Sequence, residues 1–110
     1  MKTINIPARA YDAALRWCNA RRKVVGLPAD FKKMPHGKPG ESRDCPCALA
    51  VPGLDVGGSS WHRTDPRTGE TVERGDDGPL DFVLAFDRAD VQDGARVLPV
   101  RGVKRKKGKR

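Results

Sequence analysis

The sequence predicts a small α+β domain with a short mixed or antiparallel sheet, one long N-terminal helix, one or two short helices and a disordered basic C-terminal tail. Three observations predict it. A chain of 110 residues fills one domain and is too short for two ordinary ones. A single long stretch near the N-terminus carries helical periodicity, while the other apolar residues fall in short runs. The 12 Gly and 9 Pro demand many turns. The expected division is one domain over 1–103, containing a long basic loop at 27–43, and a tail at 104–110.

Lys2–Ile6 reads as a short strand with Ile4 and Ile6 on one face. Pro7 then suits the start of a helix, where a missing N–H costs nothing. Ala8–Val25 contains no Gly or Pro and is rich in helix formers. Tyr11, Ala14, Leu15 and Cys18 form its apolar stripe, widened by Ala10, Ala13 and Trp17. Arg9, Asp12, Arg16, Asn19 and Lys23 fall opposite, and Asp12 and Arg16 have the i,i+4 spacing of an ion pair. Gly26 and Pro28 stop the helix.

Leu27–Arg43 carries Pro28, Pro35, Gly37, Pro39 and Gly40 and reads as an irregular loop, mobile or functional because of its length. Asp44 is an expected N-cap for a short helix over Cys45–Val51. Leu54–Val56 and Ser60–Arg63 read as strand pieces. The turn Asp65-Pro66-Arg67-Thr68-Gly69 returns the chain through Glu70–Arg74 as the second arm of a hairpin. Leu80–Arg88 alternates like a strand, yet Phe82 and Phe86 are spaced as on a helix; the Asp and Pro before it favour the helix. Arg96–Val103 is the expected last strand.

The charge is distributed in blocks. The chain carries +8 overall, but residues 1–43 carry +7, residues 44–103 carry −5 and residues 104–110 carry +6. Six cations on seven residues repel one another and have nothing apolar to bury, so the tail needs a polyanion or stays disordered. No apolar run approaches a membrane span, and Met1–Pro7 lacks the apolar region of a secretory leader. Three cysteines are an odd number, which speaks against a disulfide framework. The expectation is a cytoplasmic protein without a membrane partner.

Taken in order, Ile6-Pro7, Asp44-Cys45-Pro46-Cys47-Ala48-Leu49-Ala50, Val56-Gly57, Trp61-His62, Phe82-Val83-x-x-Phe86-Asp87 and Val97-x-Pro99 form a series of short motifs. The series resembles small uncharacterised proteins of actinobacterial phages. The resemblance covers residues 1–7 and 44–100. It implies a fold and a source, hence the cytoplasm of the host cell if the protein is phage-encoded, and carries no activity. Against that pattern, residues 8–43 look inserted and the tail appended, and both are basic.

Candidate chemistry is sparse. Cys18, His36, Cys45, Cys47 and His62 are the available zinc ligands, but Cys45-Pro-Cys47 lacks knuckle spacing and the others are scattered. Buried small thiols are the simpler reading. Cys45 at a helix start has the position of an activated nucleophile, opposed by the adjacent Asp44. Gly57-Gly58-Ser59-Ser60 lacks the Lys-Ser/Thr of a phosphate loop and reads as a turn. Asp76, Asp77, Asp81, Asp87, Asp90 and Asp93 lack EF-hand spacing and read as a solvated face with helix caps.

No catalytic constellation, metal or cofactor is expected. The remaining candidate is a basic surface of Arg21, Arg22, Lys23, Lys32 and Lys33, with the tail residues Lys104, Arg105, Lys106, Lys107, Lys109 and Arg110. It predicts a non-enzymatic protein that contacts DNA or RNA through phosphate charge, with little sequence reading. The alternative is a small module that binds a host or phage protein. The sequence does not fix an oligomeric state.

Overall fold

The first and last strands of the domain pair with each other. In the computed structural model, which describes residues 2–57, 60–88 and 95–102, β1 (Lys2–Ile6) runs parallel to β5 (Val97–Arg101), with Lys2 opposite Val97 and Ile6 opposite Arg101. Between them lie α1 (Ala8–Val24), α2 (Pro46–Ala50), β2 (Leu54–Gly57), β3 (Ser60–Thr64), β4 (Thr71–Gly75) and α3 (Leu80–Asp87). β2, β3 and β4 form a separate antiparallel sheet in sequential order. The strands are therefore divided between a parallel pair and an antiparallel meander. The expected tail, 104–110, lies outside the described residues, as do Gly58, Ser59, Asp90 and Asp93.

The long helix ends one residue before the expected Val25. The N–H of Gly26 donates to Lys23 O at 3.1 Å and that of Leu27 to Arg22 O at 2.9 Å. This is a Schellman closure, and Gly26 takes the left-handed conformation it requires, φ +82°. Buried Ala10, Tyr11, Ala14 and Cys18 put α1 in the centre of the core, beside buried Phe82, Val83 and Phe86 of α3 and Ile6 of β1. Residues 8–43 thus contribute Ala10, Tyr11, Ala14, Cys18 and Met34 to the core.

The helix in 80–88 is settled by which side chains go inward. Phe82, Val83 and Phe86 are buried, with the Phe82 and Phe86 rings stacked at 6.0 Å. Leu80 and Leu84 stay partly in solvent. A strand would have put all four alternating residues on one face.

Two local expectations are corrected. Cys45, not Asp44, is the N-cap of α2, and the helix starts at Pro46, a residue suited to the first turn. Asp12 does not form the expected pair with Arg16; it takes Arg101 of β5, with Nε donating at 2.9 Å. That contact spans 89 residues of sequence.

The 27–43 segment is irregular, as expected, but it is pinned along its length. The Asn19 side chain exchanges two hydrogen bonds with the Phe31 backbone, at 2.9 and 3.0 Å. The Met34 N–H donates to the Tyr11 hydroxyl at 2.8 Å, and Met34 itself is buried. Gly37 and Val97 exchange backbone hydrogen bonds, adding an antiparallel bridge beside β5. Gly40 N–H donates to the Asp87 carboxylate at 2.9 Å.

Candidate nucleic-acid interface

Phe31 is fixed at Asn19 and Met34 at Tyr11, so residues 28–34 run back along α1 as a strap. The two anchors are eight helical residues apart, about 12 Å. The Tyr11 side chain reaches out to meet the strap, so Phe31–Met34 covers that distance with a bend at Lys33. Lys32 and Lys33 are the residues between the anchors, and both are exposed.

The five expected binding cations of the domain divide into two groups. Arg21 and Arg22 face structure. Arg21 Nη1 lies 3.5 Å from Glu73 Oε2, and its guanidinium sits 5.0 Å from the centre of the Trp61 ring. Glu73 also accepts from Arg63 Nε at 2.8 Å, so one carboxylate joins α1 to the hairpin. Arg22 Nε donates to Pro28 O at 2.7 Å and Nη1 to Ala50 O at 2.8 Å. Its guanidinium covers Phe31 at 4.1 Å from the ring centre. Arg22 therefore ties the strap and α2 to the last turns of α1.

Lys23, Lys32 and Lys33 form the other group. They are exposed and take part in no ion pair among the described residues. Arg16 is also exposed and lies two helical turns from Lys23, with Asn19 between them on the same stripe. Asp12 continues that stripe toward the start of α1. The Arg101 guanidinium holds its carboxyl below the usual range, so its charge is answered within the fold. Asp30, exposed on the strap, is the nearest acid in sequence to the two lysines.

The acids of 76–87 are partly structural. Asp77 accepts from the Trp61 indole N–H at 2.9 Å, and Asp87 accepts from Gly40. His62 stands 3.8 Å from Asp55, which also meets Arg43 Nε at 3.4 Å. His62 borders an open cleft of ≈ 600 Å³ with Ser60, Thr71 and Arg74, whereas Arg43 and Asp55 border a different one. A second groove, of ≈ 420 Å³, runs between α2 and β2 past Leu49, Pro52 and Thr64.

The thiols meet inside the core, a convergence that sequence spacing does not reveal. Cys18, Cys45 and Cys47 are all free and buried. Burial pushes the Cys47 thiol well up, helped by the neighbouring Cys18 and Cys45 sulfurs. The Cys45 thiol is shifted down by the Cys47 thiol and by the amides of Cys47 and Ala48, against burial and the Asp87 carboxylate. His36 and His62 do not join them: among the described residues no three His, Cys, Asp or Glu side chains are placed to hold a metal ion. Also among the described residues, no helix is long and apolar enough to cross a membrane.

No family model matches the sequence, and no curated protein or solved structure shows significant similarity to it.

Proposed function

We propose that this protein is a non-enzymatic accessory protein, of phage type, that attaches to nucleic acid through phosphate charge with little sequence reading. The observation that carries the reading is the sorting of its cations. Arg21 and Arg22 are tied into the fold, while Lys23, Lys32 and Lys33 beside them stand exposed without a carboxylate partner among the described residues. Six further cations follow at 104–110. Residues 44–103 carry −5 and repel a polyanion, which confines contact to the basic end and the tail.

The test is a salt titration of binding, using the wild-type chain and a full-length variant whose six tail cations are replaced by Gln. Engagement of about six phosphates on a duplex gives a slope near −5 in log K against log salt. Loss of most of that slope in the variant assigns the contact to the tail. A wild-type chain that binds no nucleic acid at low salt overturns the reading. The groove between α2 and β2 then becomes the surface to examine, since it favours the alternative of a protein-binding module.

A further inference from the structure

Resting on that reading, we propose that the nucleic acid is a double helix, held along one face of α1 by Arg16, Lys23 and the strap lysines Lys32 and Lys33. The unpaired strand is excluded by the aromatics. The chain has six aromatic side chains: 3 Phe, 2 Trp and 1 Tyr. Each is already packed. Tyr11, Trp61, Phe82 and Phe86 are buried. Trp17 stands edge-on to Trp61 at 5.5 Å, and Phe31 is covered by the Arg22 guanidinium. Binding of a single strand draws on bases stacking against open aromatic faces, and here the aromatic rings are packed against neighbours. A duplex keeps its bases stacked inside and presents phosphates alone to a surface of this kind.

The placement of the cations fits a stiff polyanion. Asp12, Arg16, Asn19 and Lys23 follow one another down a single stripe of α1, spanning eleven residues or about 16 Å. The strap is fastened to that stripe at Asn19. Arg101 is fastened to it at Asp12, and the next residue, Gly102, donates its N–H to Ile6 O at 2.6 Å. Arg101 therefore marks one end of the stripe and Lys23 the other. Cations held at fixed separations on a helix favour a partner whose phosphates are also held at fixed separations. DNA has a persistence length of about 150 bp, so its phosphates keep their separations along such a face.

The experiment measures the affinity and salt slope of the full-length chain on a 20-bp DNA duplex, a 20-bp RNA duplex and a 20-nucleotide single strand of DNA. It repeats the measurement with the variant Lys23→Gln/Lys32→Gln/Lys33→Gln. Those three residues are exposed and form no ion pair among the described residues, so the thermal midpoint should stay at the wild-type value. Either duplex should bind at least about tenfold tighter than the single strand, and which duplex binds tighter names its source. The triple variant should lose about 2.7 from the magnitude of the duplex slope, about 0.9 for each phosphate contact removed. A second variant, Asn19→Ala, keeps every charge but frees the strap; it should weaken duplex binding with little change in slope. Equal or tighter binding to the single strand, or an unchanged slope in the triple variant, overturns this inference and leaves electrostatic attachment through the tail standing. Failure of the wild-type chain to bind any of the three overturns the broader reading as well.

Discussion

The Arg22 guanidinium lies 4.1 Å from the centre of the Phe31 ring and at the same time donates to two carbonyl oxygens, those of Pro28 and Ala50. One side chain thereby closes three pieces of chain against each other. Arg22→Ala should destabilise the fold by about 2–3 kcal/mol, combining lost charge-assisted hydrogen bonds with a lost cation–π contact. Arg22→Lys should recover little, because an ammonium cannot copy the planar fork. Lys23→Ala, one residue on, should stay within about 0.5 kcal/mol. Urea unfolding followed by tryptophan fluorescence separates the three. Equal costs for Arg22→Ala and Lys23→Ala would contradict the division of the cations.

Acid should weaken the joint between the hairpin and Asp77. The Trp61 indole N–H, then Asp77's own amide and the charge of Arg21, hold this carboxyl below its usual 3.8. Arg101 does the same for Asp12. A depressed carboxyl contributes stability above its unfolded value and loses it as pH falls through the folded value. The thermal midpoint should therefore be flat from pH 7 to 5 on account of these groups and fall below about pH 4. The double variant Asp12→Asn/Asp77→Asn should start lower and fall less steeply over the same window.

Gly53 is a position where a side chain has no room. Its φ is +79°, and a Cβ there would run into the Thr64 carbonyl oxygen. The Thr64 N–H donates to Gly53 O at 2.9 Å, so the two strands cannot part there without losing that bond. Gly26, at φ +82°, faces open space. Gly26→Ala should cost about 1 kcal/mol for the backbone alone. Gly53→Ala should cost about 2–4 kcal/mol, since strain and overpacking add. Denaturant midpoints of the two variants decide it.

The three thiols should be silent in the native protein. Cys18, Cys45 and Cys47 are at most 2% exposed. A bulky aromatic disulfide reagent should label none of them in buffer at pH 7.5. In urea, all three should react along the same curve as the loss of native fluorescence. Labelling of any cysteine well before that transition would show that the contact of α1 with α2 opens on its own.

The elements were legible in the sequence where their cause is local. Ala8–Val24 forms because its residues favour helix and Gly26 ends it, both visible in a short window. The turn at Asp65–Gly69 announced the β3–β4 hairpin for the same reason. What stayed hidden is what depends on partners far along the chain. Periodicity offered Asp12 the nearby Arg16, whereas the fold brings it Arg101. Charge counting could not show that Arg21 and Arg22 meet Glu73, Pro28 and Ala50 while Lys23 has no carboxylate partner among the described residues. A run of Gly, Pro and Lys reads as an irregular loop, mobile or functional, because Asn19, Tyr11 and Val97, which fasten it, lie outside the run. Cys45 and Cys47 are neighbours in sequence, but only the packing of α1 on α2 adds Cys18.

The register that sets Lys2 against Val97 makes order of synthesis matter. β1 leaves the ribosome more than ninety residues before the strand that completes it. Until then Ile6 has no neighbouring strand, and the bridge from Gly37 has no Val97 to receive it. The fold must wait for its end, and contacts so far apart in sequence close slowly. A chain released before Val97 would keep good local helices and lack the seam that holds them. For this protein, premature termination fourteen or more residues short, which removes Val97, is expected to leave an unfolded product.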